Sequence, residues 1–121
     1  SMAHPLSALY DTPHGVACAT ILPTVLEYNA EATGEKYREI ARAMGVEGVD
    51  NMTQEEYRKA AVQAVRQLGI DVGIPQKVSE VGVKDEDIRF LAESAMADAC
   101  TPGNPKDPTL EDVEALYRSM M

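Results

Sequence analysis

Residues 11–29 read DTPHGVACATILPTVLEYN. Asp11 and Thr12 are both side chains that cap a helix, and Pro13 suits the first helical position, where a missing N–H costs nothing. The apolar positions that follow, at 16, 17, 18, 19, 21, 22, 25 and 26, cover nearly the whole circumference of a helix. A helix with no polar face has none to give to water, so this one is predicted to be the buried centre of a domain. Pro23 removes one backbone hydrogen bond inside it, which predicts a kink or change of pitch near Ala19.

The flanking segments repeat the helical period with polar outer faces. His4 falls in a short N-terminal helix before Asp11. Between Gly34 and Gly45, Tyr37, Ile40, Ala41 and Met44 share one face, and a glycine ends the run. Thr53 and Glu56 have the spacing of a capping box, opening a helix with the stripe Tyr57, Ala60, Ala61, Ala64, Val65 and Leu68 that Gly69 is predicted to stop. DVGIPQKVSEVGV reads as a loop with a short helix after Pro75, and is the one segment where a strand competes. Ile88, Leu91, Ala92, Ala95 and Ala99 return to helical spacing behind an acidic first turn that suits the helix dipole. TPGNPKDP is a rigid loop, after which Thr109 with Glu111 and Asp112 starts a last helix bearing Val113, Leu116, Tyr117 and Met120. The sum is five or six helices with no strands: an all-α bundle forming one domain over residues 1–121.

Composition narrows the partners. With 11 Lys and Arg against 20 Asp and Glu, the net charge is −9, dispersed along the chain, and most of this surface repels a phosphate backbone. Nucleic acid is excluded as a partner class. No run approaches the roughly 18 apolar residues of a membrane span, and no basic-then-apolar leader opens the chain. Cys18 and Cys100 are too few and too far apart for a disulfide framework, and no CxxC pair suggests zinc or redox chemistry, so a reduced, cytoplasmic setting is expected.

Catalytic groups are sparse. The two histidines are His4 and His14. His14, in the first turn of the central helix, faces the positive end of the macrodipole, which favours a neutral ring able to give a lone pair to a metal. Taken alone, though, such a residue more commonly serves local hydrogen bonding. Two histidines do not make a metal site, which wants three or four protein ligands. Neither cysteine is taken to have a histidine nearby in sequence, and GxGxxG, GxxxxGK[ST] and GxSxG are all absent.

Residue order says more than spacing. MAHPLSALYDTPHGVACATILPTVLEYNA closely resembles the segment GxxHxxAHxxGxxxxxxHGxxxAxxLP of iron-containing alcohol dehydrogenases, through Ala3-His4, Pro13-His14-Gly15 and Leu22-Pro23. TGEKYREIARAMGV, DVGIP at 71–75 and DACTPGNPKDPTLEDVEALYRSM, which is similar to the pattern DxCTxxNPRxxTxEDI, extend the likeness over the whole chain. Within the family it is greatest to members acting on lactaldehyde and 1,2-propanediol.

The resemblance implies a C-terminal helical domain that shares a cleft with an N-terminal α/β domain binding NAD(P). A divalent metal, Fe2+ or in some members Zn2+, is held in that cleft by one aspartate and three histidines. By the resemblance His14 is the last of those ligands, and His4 lies beside the nicotinamide and helps move the alcohol proton. The loop holding Cys100 and Asn104 borders the substrate pocket, the alternative for Cys100 being a buried helix-end residue. Ser7 and Lys106 depart from the pattern, which often has glycine and arginine there. The remaining ligands and the pyrophosphate loop belong to stretches upstream of Ser1. The expectation is therefore a domain of a homo-oligomeric dehydrogenase for small alcohols or aldehydes, partnered by its dinucleotide-binding domain, inert and without bound metal or NAD(P) when isolated. The alternative is a stand-alone, non-catalytic scaffold domain of the same ancestry, self-associating through an exposed apolar patch.

Overall fold

The computed structural model describes residues 1–121 as six α-helices and no strands. They are α1 (Ala3–Tyr10), α2 (His14–Asn29), α3 (Lys36–Ala43), α4 (Gln54–Asp71), α5 (Ile88–Ala97) and α6 (Leu110–Ser119). Short 3-10 turns link them, among them Val78–Val81, which is the short helix expected after Pro75. No helix is long and apolar enough to cross a membrane.

α2 is the hub, packed against α1 on one side and α4 on the other, while α3 packs on α4 and α5 on α6 and α1. Two apolar clusters result. One gathers Leu6, Ala17, Ile21, Ile88, Leu91 and Tyr117 from α1, α2, α5 and α6. The other joins Tyr37 and Ala41 to Tyr57, Ala61 and Val62, closing α3 onto α4. Tyr37 adds a polar tie, its hydroxyl donating to the Leu26 carbonyl of α2 at 2.7 Å.

The helix starts divide by their chemistry. Thr53 and Thr109 each close the capping box expected of them, accepting from the N–H three residues on while that residue's carboxylate, Glu56 or Asp112, accepts from the threonine N–H. α2 begins otherwise: Pro13 is the residue before the helix rather than its first, and no side chain caps it. Asp11 instead ends α1 in the left-handed region, at φ 56° and ψ 28°, and Thr12 is buried. With three residues to join two helices, the sharp turn falls on Asp11, whose side chain tolerates that backbone better than most.

Four further expectations are revised. α2 runs without interruption through Pro23, but it is not buried all round: Cys18 and Leu22 are exposed, Leu22 at 45%. α1 and α4 cover two of its faces, and the third faces the loop after α5 across open space. α4 continues past Gly69 to Asp71, and it is Gly73, at φ +82°, that takes the left-handed turn. Gly69 has a different reason to lack a side chain, since a Cβ there would lie 3.2 Å from the Gln76 amide nitrogen. The apolar stripe of α4 is buried only at its first half; Leu68 at its far end is half exposed, as are Ile70 and Val72 beyond it. Ala99 lies past the end of α5 and is exposed, because α5 stops at Ala97.

Candidate active site

The turn at Asp11 and the extended backbone of Pro13 bring the start of α2 back beside the start of α1. His4 and His14 consequently stack, ring centroids 5.3 Å apart and planes 23° from parallel. Both are exposed. The two imidazoles, ten residues apart in sequence, thus occupy one patch of surface.

Asp98, just past α5, fixes the first of them. One carboxylate oxygen accepts the His4 Nδ1–H and the other accepts the Cys100 backbone N–H at 2.8 Å. An ionised carboxylate can only accept, so His4 Nδ1 carries a proton in this contact and the ring's Nε2 edge is turned away from Asp98. The hydrogen bond from His4, and after it that from Cys100, hold the Asp98 carboxyl at about 2, below the usual carboxylate range. Asp98 is 14% exposed, well shielded for an ion at the surface.

His14 has a neighbour of another kind. Cys18, one turn further along α2, sets its Sγ 3.4 Å from His14 Nε2. The sequence reading gave neither cysteine a histidine partner; the i, i+4 geometry of a helix supplies one.

Cys100 and Asn104 lie on the loop after α5, and with Cys18 and Leu22 they line a cavity of about 400 Å3. Asn104 exchanges reciprocal 2.8 Å hydrogen bonds with Asn29 at the end of α2 and donates to the Lys106 carbonyl at 2.8 Å. Both its amide hydrogens are in use, so it fastens the loop to α2 and forms wall rather than hydrogen-bond donor. A larger groove of about 850 Å3 lies across Glu27, Glu31, Arg66 and Lys106, but its ions pair among themselves, Arg66 with Glu27 and Lys106 with Glu31.

A tetrahedral divalent metal asks for three or four protein ligands. His14 and His4 are imidazoles with exposed edges, the chemistry a borderline metal prefers. No group of three or more His, Cys, Asp or Glu side chains in the chain is arranged to hold a metal ion. Two exposed imidazoles fit part of a metal's donor set and not the whole of one.

Asp98, Cys18 and Asn29 are the functional-face residues that sequence reasoning passed over. Asp98 stands in the DACTPGN stretch already singled out, and Cys18 is signalled by its four-residue spacing from His14. Asn29 carries no signal, since its partner is 75 residues away.

Residues 1–121 match the C-terminal part of the Fe-containing alcohol dehydrogenase family. The chain belongs to that family. It is 58% identical over 118 residues to the lactaldehyde reductase of Escherichia coli (strain K12), covering 98% of this chain and 31% of the relative. It is 39% identical to the 1,3-propanediol dehydrogenase of Klebsiella pneumoniae, covering 98% of this chain and 30% of that protein. Among solved structures, a 1,3-propanediol oxidoreductase superposes with a TM-score of 0.94 at 38% identity, over 99% of this chain and 31% of that one. The chain thus spans about a third of the length of these relatives. Its six-helix, strandless architecture is that of the helical C-terminal region of iron-containing alcohol dehydrogenases.

For this family domain, a pH experiment isolates the Asp98 contact. Because the folded carboxyl is depressed to about 2, its stabilising contribution is fully present above the unfolded value, near pH 4, and is lost as pH falls through about 2. Asp98→Asn is expected to unfold at lower urea than the parent sequence at pH 6, with the gap closing between pH 4 and pH 2. Urea midpoints followed by circular dichroism across that range check it; a gap independent of pH would contradict the assignment.

Proposed function

We propose that the chain is the metal- and substrate-side helical domain of an NAD(P)-dependent, iron-dependent alcohol dehydrogenase, interconverting a small alcohol or diol with its aldehyde. The single observation that carries this reading is the stacking of His4 and His14 on one exposed patch, with His4 held by Asp98. A metal ligand and a proton-moving group must lie this close to act on one substrate.

In this reading His14 contributes one ring nitrogen to the metal site, and the other ligands come from the dinucleotide-binding domain. When bound, the divalent ion supplies Lewis-acid polarisation of the substrate oxygen and the nicotinamide supplies or accepts the hydride. The chain's own work is to place groups. Asp98 keeps the His4 proton on Nδ1, leaving Nε2 to take a proton from the alcohol side or return it. Leu22 and Cys18 form an uncharged wall beside that patch, suited to the carbon skeleton of a small alcohol. Alone, the chain is inert, because it holds neither the hydride acceptor nor a full ligand set.

Restoring the missing part tests this. Mixing or co-expressing the chain with the dinucleotide-binding domain of its enzyme, with Fe2+ or Zn2+ supplied, is expected to give alcohol-dependent NADH or NADPH formation that neither part gives alone. A folded, associated pair that stays inactive with small alcohols and diols would overturn the reading.

A further inference from the structure

The loop after α5 is built as a stiff strap beside the exposed face of α2. From Asp98 to Asn104 it folds in successive turns, the Thr101 amide donating to the Asp98 carbonyl and the Asn104 amide to the Thr101 carbonyl, each at 3.1 Å. The Thr101 hydroxyl also donates to the Ala95 carbonyl in α5. One end of the strap grips His4 through Asp98, and the other grips Asn29, the last residue of α2, through Asn104. Between these holds lies the cavity of about 400 Å3, with Cys18, Leu22 and Val25 on the helix side and Cys100, Thr101 and Asn104 on the strap side.

The contacts at the far end are unequal. Lys106 reaches the Tyr28 carbonyl and Glu31, but that ion pair is a surface one, its carboxylate 74% exposed, and such pairs contribute little. Asn29 is only 6% exposed. Its amide donates to the Asn104 side-chain oxygen and accepts from the Asn104 amide, both at 2.8 Å, while Asn104 gives its remaining N–H to the Lys106 carbonyl. Such a pair is costly to break, since Asn29 left alone is a buried amide without a partner.

We propose that Asn29 is a positioning residue for substrate choice: through Asn104 it holds the strap at a fixed distance from α2, and so keeps the cavity fitted to short alcohols. Asn29 does not itself line the cavity, so it acts through the strap. The inference rests on the preceding reading only for the alcohol that fills the cavity.

Two alcohols that differ only in length, propan-1-ol and pentan-1-ol, test this in the complete enzyme. In Asn29→Ala the ratio of kcat/KM for pentan-1-ol to that for propan-1-ol is expected to rise about tenfold, the lower end of what one methylene is worth in a fitted pocket. Asn104→Ala, which removes the other partner, raises it alike. Asn29→Asp keeps an acceptor for one bond and loses the donor of the other, and raises it less. A merely structural role would lower both values together and leave the ratio unchanged, which would overturn the proposal. A crystal structure of the Asn29→Ala enzyme gives a reading independent of turnover. The expected result is a wider cavity with Asn104 drawn away from α2; a strap still in place over an unchanged cavity would overturn the proposal even where the ratio has moved. An enzyme that oxidises neither alcohol defeats the preceding reading instead, and the crystal structure then decides the role of Asn29 alone.

Discussion

Replacing His14 by alanine in the complete dehydrogenase is expected to empty the metal site and lower kcat/KM by about a thousandfold. A bound divalent ion contributes several kcal/mol of transition-state stabilisation, and about 4 kcal/mol corresponds to three powers of ten in rate. His14 is the exposed first residue of α2 and belongs to neither apolar cluster. The fold should therefore be untouched, and circular dichroism should show the helical content of the unsubstituted enzyme. Metal content by inductively coupled plasma mass spectrometry, read beside kcat/KM, checks the prediction. A stoichiometric metal in the variant would contradict it, whatever the activity.

The second large effect lies in the core. Tyr117 is fully buried, and its hydroxyl donates to the Met2 carbonyl at 2.6 Å, tying α6 to the segment that leads into His4. Burial drives its phenol pKa upward, so the hydroxyl stays a donor across the physiological range. Tyr117→Ala is expected to destabilise the domain by about 3–5 kcal/mol, through lost burial and the cavity left among α1, α5 and α6. That is a large share of the roughly 5–15 kcal/mol that holds a typical domain folded. Tyr117→Phe keeps the ring and strands only the Met2 carbonyl, and should cost about 1–3 kcal/mol. Urea unfolding of both variants gives the comparison. Equal losses would mean that the hydrogen bond dominates, and a loss below about 1 kcal/mol in Tyr117→Ala would remove Tyr117 from the core.

Much of the fold was legible because its signals are local. The capping boxes at Thr53 and Thr109, the stripe Tyr37–Ala41 and the spacing of Ile88, Leu91, Ala92 and Ala95 all follow from contacts within four residues. Where the sequence misled, tertiary context took over. The all-round apolar character of α2 resembles full burial, yet Cys18 and Leu22 stay exposed because nothing in these residues covers that face. Gly69 looks like a helix stop, but its small size serves the approach of Gln76 instead.

The site was legible only in part, for the same reason. That His4 and His14 serve one patch could be proposed from family resemblance, but spacing alone placed them ten residues apart on two helices. Their stacking depends on the left-handed turn at Asp11, which no periodicity encodes. Asp98 is further removed still, 94 residues from the histidine it orients. Cys18 was legible in principle, since a helix makes neighbours of residues i and i+4.

Anomalous diffraction at the iron and zinc edges, from crystals of the complete enzyme, bears most immediately on the role assigned to this patch. The expected result is a single peak about 2 Å from a ring nitrogen of His14, with His4 alongside and still hydrogen-bonded to Asp98. A metal peak elsewhere, with both His14 nitrogens free, would contradict it.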